Sequence, residues 1–276
     1  MENADKKTVQ HFGEEWSAYD QREQSEDHER DFERYFHVFP WDRISEESTG
    51  FDMGCGSGRW AKFVAPRVGK LVCVDASDAA LEVAKVNLEQ ADNVELIHAS
   101  VSEAPIEPES MDFGYSLGVL HHIPDTAAGI RACAGFLKPG APLLLYLYYA
   151  FDNRPFWFRW LWLLSNIFRI VICKLPAPLK RFVCTGIAVV VYWPLARMAK
   201  LFEKCGWRAK NWPLRAYRHR AFYTMRTDAL DRFGTPLEQR FTRVQITRML
   251  DEAGFENAEF SDKVPFWCAV AYRRSE

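Results

Sequence analysis

The sequence predicts an α/β fold, in which a mostly parallel β-sheet carries helices on both faces. An apolar strand from Thr49 to Met53 runs into a glycine-rich loop and a helix, the usual start of such a sheet. Strands then alternate with helices from 49 to 150, which is typical of parallel strands joined by right-handed crossovers. A helix and two strands at 241–276 return the chain to the sheet. With 276 residues, 48% of them hydrophobic, the chain can bury a large core.

Residues 1–48 predict an N-terminal helical cap, because this segment is charged and aromatic and has two helix-like stretches. The stretches run from Val9 to Gln21 and from Glu26 to Phe39, and Pro40 ends the second. The predicted sheet starts only after this cap, in the segment 49–150.

The loop from Gly54 to Gly58 indicates a nucleotide-like ligand. Glycine lets backbone N–H groups approach a ligand closely, and a helix beginning near Gly58 would point its positive end to the same place. Asp75 ends the next predicted strand about 20 residues on, the spacing of a carboxylate that accepts both ribose hydroxyls. The dinucleotide fingerprint needs glycine or alanine at position 59, where this chain has Arg59. The spacing therefore argues against a dinucleotide.

With Asp52 two residues ahead of it, this loop resembles the first motif of class I S-adenosylmethionine-dependent methyltransferases. Asn93 to Val101, Met111 to Asp125 and Leu137 to Gly140 resemble the family's later motifs, in the right order. The resemblance covers residues 49–150. It implies a Rossmann-like seven-stranded sheet that ends in an antiparallel hairpin. It also implies S-adenosylmethionine as cofactor and S-adenosyl-L-homocysteine as the product formed from it.

The resemblance further implies a set of cofactor-binding residues. They lie in the glycine loop, at the ends of the second and fourth strands, at the adenine turn and on the cap: Asp52, Gly54, Cys55, Gly56, Gly58, Asp75, Ala76, Ser100, Val101, Leu117, Trp16 and Tyr19. The family usually has an acid at the adenine turn, where this sequence has Ser100. Either the Ser100 hydroxyl or Glu103 reaching back can accept a hydrogen bond from the adenine amine.

Residues 151–240 are a predicted helical insertion after strand 5, and their charge differs from that of the rest of the chain. Between Arg154 and Arg220 there are fourteen Lys or Arg and one acid, Glu203, so this part carries about +13 against −2 for the whole chain. Such a separation of charge points to a partner rather than to the fold.

Two apolar runs in this insertion, Phe156 to Cys173 and Phe182 to Ala196, predict helices. We do not expect either to span a membrane. Two arginines interrupt the first run, and the second is only fifteen residues long and contains Pro194.

Three interpretations of the insertion stay open. It is a helical hairpin lying on an anionic membrane surface through 154–204, or a lid whose apolar residues form a small core over the sheet. The third interpretation is a nucleic-acid surface, which we do not expect, because such a surface does not need two long uncharged runs.

Methyl transfer to a hydroxyl needs an aligned acceptor and a group that takes its proton. His121 and His122 follow the fourth strand and Tyr149 follows the fifth, so these three are the candidate catalytic residues. One histidine can equally cap a helix or pack behind the loop. The candidate substrate-binding residues are Asn153, Tyr223, Arg226 and Arg232, although the arginines can instead form salt bridges with neighbouring acids.

We therefore predict an enzyme (EC 2.1.1.-) that methylates oxygen or nitrogen of a hydrophobic or amphiphilic small molecule, at a membrane surface or under the insertion. Two alternatives remain: a soluble methyltransferase of an anionic metabolite or sugar with the insertion as lid, and a non-catalytic S-adenosylmethionine-binding module that docks to membranes or partners. Seven scattered cysteines without metal-ligand spacing predict reduced thiols, no metal and a cytoplasmic location, peripheral to the inner membrane face if the hairpin binds it. The sequence leaves the oligomeric state open.

Overall fold

The structure, a computed structural model, describes residues 1–18, 25–207 and 211–275. The chain divides into two compact units. Unit 1 comprises Met1–Ala150 with Leu237–Glu276, and unit 2 comprises Phe151–Pro236. The N-terminal cap thus belongs to the same unit as the sheet, and the chain returns to that unit at Leu237.

Unit 1 contains a seven-stranded sheet in the order β3-β2-β1-β4-β5-β7-β6. Strands β1 to β5 are parallel, whereas β7 runs antiparallel to β5 and β6 antiparallel to β7. The strands are β1 Thr49–Met53, β2 Lys70–Asp75, β3 Val94–His98, β4 Phe113–Leu117, β5 Pro142–Tyr146, β6 Phe255–Phe260 and β7 Ala269–Arg273. The predicted Rossmann-like, mostly parallel sheet with a terminal antiparallel hairpin is confirmed.

Six helices of unit 1 have the following bounds: α1 Lys6–Ala18, α2 Ser25–Phe36, α3 Ala61–Val64, α4 Asp78–Asn87, α5 Thr126–Phe136 and α10 Arg243–Glu252. Hydroxyl or carboxylate caps begin several of them, and Asp5 before α1 accepts from the N–H of Thr8 at 2.8 Å. Ser77 accepts from the N–H of Ala80, Asp125 from that of Ala128, and Thr242 from that of Gln245. The helix after the glycine loop, α3, begins at Ala61 and has only four residues, so it is shorter than the helix that we expected to begin near Gly58.

The core of unit 1 lies on both faces of the sheet. At its centre, Gly50 of β1 lies opposite Phe113 of β4, and Phe51 lies opposite Gly114. A Cβ on either glycine would meet the facing phenyl ring at 2.2 Å, so each glycine makes room for its partner's ring. This reciprocal packing fixes β1 against β4, and those are the two strands whose carboxyl ends carry the predicted site.

Unit 2 is helical, with α6 Phe156–Ile172, α7 Ala177–Ile187, α8 Trp193–Lys204 and α9 Phe222–Gly234. A π-helical segment, Ala188–Tyr192, joins α7 to α8. Its wider turn takes the helix past Pro194, which has no N–H for the helical ladder.

The helix Ala177–Lys204 is therefore continuous over 28 residues, longer than the fifteen-residue run that the sequence suggested. Of the described part of the chain, it is the one helix long and apolar enough to cross a membrane by length and composition.

Some polar side chains of α6 and α9 point into the interior of unit 2. On α6, Arg169 is buried and donates to the carbonyls of Thr235 and Pro236, at 2.8 Å each. Arg232 of α9 donates to the Ser165 hydroxyl at 3.0 Å. Polar side chains of α6 such as Arg169 and Ser165 thus face the interior of unit 2, whereas Arg159 on the same helix is exposed.

The large apolar side chains of unit 2 face outward instead. Among the described residues, the exposed large apolar side chains lie in 156–207, apart from Met1, Val86, Val244 and Val264. Phe156 and Phe182 are 78% and 77% exposed. Most large apolar side chains of α6 are therefore exposed rather than packed in a small core.

Candidate active site

The three glycines of the loop after β1 all adopt left-handed backbone conformations. Gly54, Gly56 and Gly58 have φ angles of +84°, +55° and +76°. Other residues rarely adopt these angles, so the loop needs glycine for its path as well as for close approach. At Gly54 and Gly58 the space is also filled, because a Cβ there would lie 2.3 Å from Val119 and 2.7 Å from Leu88.

Asp75 lies where the ribose was predicted, at the end of β2 beside this loop. Its carboxylate accepts from the N–H of Gly56 at 2.8 Å and from the N–H of Ser77 at 2.8 Å. Burial raises the pKa of Asp75 even though both hydrogen bonds lower it. One acid therefore ties the glycine loop to the start of α4, next to Ala76 and Ser77.

Asp52 is also buried, at 1% exposure, but its environment differs from that of Asp75. Neither carboxylate oxygen has a hydrogen-bond partner of ordinary geometry among the described residues. Burial raises its pKa to about 8; the adjacent Tyr115 hydroxyl lowers it, and repulsion by Asp75 raises it. At neutral pH this carboxyl is therefore mostly protonated. A cation bound beside it would restore the charged form.

The adenine turn holds Ser100 and Glu103 together. The Ser100 hydroxyl donates to the Glu103 carboxylate at 2.7 Å, and the Glu2 N–H donates to the same oxygen at 2.9 Å. The Ser100 hydrogen bond, more than the others, lowers the pKa of Glu103. An acid thus sits at this turn despite the serine, because Glu103 reaches back to it. Val101 is buried in the core beside them.

The N-terminal cap reaches the glycine loop through Trp16. A Cβ on Gly56 would lie 3.1 Å from the indole Nε1, so Trp16 packs directly over this glycine. Gly13 of the same helix, α1, lies against Ser77 and Ala79 at the start of α4. Tyr19, the second aromatic residue predicted here, lies outside the described residues.

The two histidines after β4 have different roles. His122 is fixed by its backbone neighbours, since its Nδ1 lies 2.7 Å from the carbonyl of Leu237. His121 has 0% exposure, and neither of its ring nitrogens has a hydrogen-bond partner in the described part of the chain. Burial holds the pKa of His121 well below its usual range, so the ring is neutral and can accept a proton.

Tyrosines at the end of β5 surround His121. The rings of His121 and Tyr148 lie 3.8 Å apart, and Tyr146 and Tyr148 lie on the same side, as strand alternation predicts. Tyr149 instead packs against Phe266, with ring centroids 5.5 Å apart. The described ring contacts therefore do not join Tyr149 to the histidines.

Two features of this site escaped the sequence analysis. Gly118, just after Leu117 at the end of β4, has φ +82°, and a Cβ there would meet no described atom within 4 Å. Space for a ligand therefore adjoins this strand end. The segment 237–241 also borders the site, through hydrogen bonds to His121 and His122. The sequence Gly-Val-Leu does not predict a positive φ at Gly118. The contacts of 237–241 with His121 and His122 join residues far apart in the chain, so local sequence patterns do not predict them.

The predicted substrate-binding residues all lie in unit 2. Arg232 contacts Ser165 and lies 5.9 Å from the Trp162 ring, and Arg226 lies 5.6 Å from the ring of Tyr223. Asn153 is exposed in the turn before α6. The contacts of Arg226 and Arg232 lie within unit 2, and those of Arg232 give it a structural role.

A family model described as a methyltransferase domain matches residues 51–145, which include the glycine loop, Asp75 and both histidines. This match identifies residues 51–145 as similar to a methyltransferase domain. Domains of this class use S-adenosylmethionine, so the cofactor prediction is confirmed at the level of the family.

Relatives of the methyltransferase domain include ubiquinone biosynthesis O-methyltransferases. That of Saccharophagus degradans is 40% identical over 94 residues, which cover 33% of this chain and 40% of the relative. That of Serratia proteamaculans is 33% identical over 110 residues, which cover 39% and 44%. The chain thus spans less than half the length of these relatives.

Among solved structures, a chain of the complex between the Trm112 methyltransferase activator and its methyltransferase from Haloferax volcanii has a similar fold. The TM-score is 0.52 at 12% identity, over 95% of this chain and 98% of that one. This likeness extends the agreement in fold beyond the methyltransferase domain itself.

Proposed function

We propose that this protein is an S-adenosylmethionine-dependent O-methyltransferase that acts on a hydroxyl of a hydrophobic or amphiphilic small molecule at an anionic lipid surface. The inward-facing polar side chains and exposed apolar side chains of unit 2, joined to a methyltransferase domain, carry this proposal. The O-methyltransferase relatives support oxygen rather than nitrogen as the acceptor atom.

The donor site has the groups that the cofactor needs. Asp75 offers a carboxylate to the ribose, Glu103 offers one to the adenine amine, and Asp52 offers a buried acid to the cationic end of the donor. S-adenosylmethionine supplies an activated methyl group, and the electrons of its carbon–sulfur bond return to sulfur. The protein must therefore align the acceptor oxygen and remove its proton.

His121 is the proposed proton acceptor. It is neutral, both ring nitrogens lack a described hydrogen-bond partner, and buried polar groups without partners are rare outside functional sites. The proton leaves the acceptor hydroxyl as the new carbon–oxygen bond forms, and it is held on the imidazole. His122 has a structural role in this proposal, because its Nδ1 is already engaged by Leu237.

Exposure of apolar side chains on α6 supports docking to lipid. In water, a helix is most stable with its apolar side chains buried, yet Ile167, Phe168 and Val171 are 61%, 57% and 61% exposed while Arg169 between them is buried. An apolar environment outside the protein removes this conflict. The net charge of about +13 between residues 154 and 220 favours an anionic surface.

We propose peripheral docking on the cytoplasmic side rather than a membrane span. Cations are spread along Ala177–Lys204, with Lys180 and Arg181 near one end and Arg197 and Lys200 near the other. α6 has only 17 residues and contains Arg159 and Arg169. Charges within a spanning helix are costly in the hydrocarbon, whereas the exposed Arg159 and Arg181 are favourable at the headgroup level.

The function is tested by incubating the full chain with methyl-labelled S-adenosylmethionine and one of two extracts of host cells, a lipid extract or an aqueous metabolite extract. We expect label in a base-stable ether product of the lipid fraction, and none with His121→Gln. Label in the aqueous fraction alone would favour the soluble alternative. Donor binding without transfer to either fraction would favour the non-catalytic module and contradict the proposal.

A further inference from the structure

The segment 237–241, which we call the return segment, leads the chain from unit 2 back into unit 1 and is tied to the candidate active site. The Gln239 N–H donates to the His121 carbonyl at 3.0 Å, and the Gln239 side chain donates to the Ile123 carbonyl at 2.7 Å. Phe241 and Tyr148 share a further backbone hydrogen bond of 2.8 Å. The return segment therefore fixes both the histidine turn and the end of the fifth strand.

The return segment also carries a buried ion pair. Arg240 and Glu238 lie 2.8 Å apart, and their side chains are 13% and 1% exposed. The guanidinium lies 5.0 Å from the centroid of the Tyr148 ring and donates to the Tyr149 carbonyl at 3.3 Å. A cation over an aromatic face restrains that ring. Tyr148 is thus held by Arg240 while it stacks on His121.

We propose that Arg240 is a positioning residue for the acceptor's proton, because it holds the Tyr148 ring against the His121 imidazole. Glu238 orients Arg240, and the backbone bonds of the return segment place both residues. Only the kinetic part of this inference rests on the proposed function. The stack itself is a property of the folded chain.

The charged groups around His121 agree with this role. Among the described residues, it faces His122 in its own turn, Tyr146 and Tyr148 from the end of the fifth strand, and Arg240 with its partner from the return segment. Helix α1 contacts His122 through Phe12. After burial, the charges of His122 and Arg240 lower the pKa of His121 further. Removing the Arg240 charge should therefore raise it.

The test is a pH titration of the histidine side-chain NMR signals of the full chain, with the His121 signals assigned from His121→Gln. In Arg240→Gln we expect the His121 titration midpoint to move to higher pH and its Tyr148 ring-current shift to shrink. Arg240→Lys should keep the midpoint low, because the positive charge remains. Arg243→Gln is the matched control, since this cation lies over Phe260, 4.8 Å from the ring centroid, rather than over Tyr148.

Arg240→Gln removes the ion-pair partner of the buried Glu238 side chain, so the double variant Glu238→Gln/Arg240→Gln is measured as well. Both variants should lower kcat roughly 10- to 100-fold with donor Kd unchanged. The inference would be overturned if His121 in both variants gave the same NMR signals and the same titration midpoint as in the native chain. This outcome does not depend on whether an acceptor has been found. An NMR change without methyl transfer in any variant would contradict only the proposed function.

Discussion

Asp52 is buried and Asp75 is half-buried in the same site, and the two acids differ in their hydrogen bonds. Asp75 accepts from two backbone N–H groups, whereas Asp52 has no partner of ordinary geometry in the described part of the chain. Burial outweighs the other influences on both, and it raises the pKa of Asp52 to about 8. A neutral acid beside a site for a cationic ligand makes ligand binding depend on pH.

We expect donor binding to release a proton from Asp52. The carboxyl is mostly protonated at pH 7 in the free protein and becomes charged when the cationic donor binds, so affinity should rise from pH 6 to 8 and level off above. Calorimetry in buffers of different ionisation enthalpy measures the proton count directly. Asp52→Asn should bind without this dependence. Proton uptake, or a buffer-independent enthalpy in the native chain, would contradict the prediction.

The helices of unit 2 show that apolar periodicity predicts a helix without predicting what covers its apolar face. Apolar periodicity predicted a helix from Phe156 to Cys173, close to the observed α6 Phe156–Ile172. Its inward face is set by Arg169 and Ser165, whose partners Thr235 and Arg232 lie more than sixty residues away in the chain. Periodicity places residues on one face but does not say which face is covered.

We expect Ile167→Asp/Phe168→Asp to weaken binding of the full chain to vesicles of mixed phosphatidylglycerol and phosphatidylcholine. Each of these exposed side chains would contribute about 1.5–3 kcal/mol if buried in lipid, so partitioning should fall by at least about 30-fold. Flotation of vesicles measures it. Val244→Asp, at a side chain 77% exposed in unit 1, is the control and should bind as the native chain does.

Binding at high salt and release by alkaline carbonate distinguish peripheral docking from a spanning helix and from a lid. High salt should weaken binding, because the cations of the insertion face anionic headgroups. Release from cell membranes by alkaline carbonate is expected for a peripheral protein, whereas retention would favour a spanning helix at Ala177–Lys204. No vesicle binding at low salt would contradict the docking proposal and leave the lid alternative.

At the scale of the whole molecule, the sequence predicts the sheet but only part of the site. The glycine loop, Asp75 and the histidines are predictable because each lies at the end of a strand or within a few residues of that end. Parallel strands bring their carboxyl ends to one edge of the sheet. The return segment was not predicted, because the hydrogen bond from His122 Nδ1 to the Leu237 carbonyl joins residues 115 positions apart. Because the contacts of the return segment were not predicted, the sequence analysis ended the insertion at residue 240, whereas unit 2 ends at Pro236.

Donor binding underlies every proposal for this protein, and titration calorimetry of the full chain with S-adenosylmethionine measures it. The native chain should bind the donor, and Asp75→Ala should weaken binding at least about 30-fold, since hydrogen bonds to a charged group contribute about 1.5–3 kcal/mol each. Asp78→Ala, at an exposed acid in the first turn of α4, should bind as the native chain does. Unchanged binding in Asp75→Ala, or no binding by the native chain, would contradict the assignment of this site.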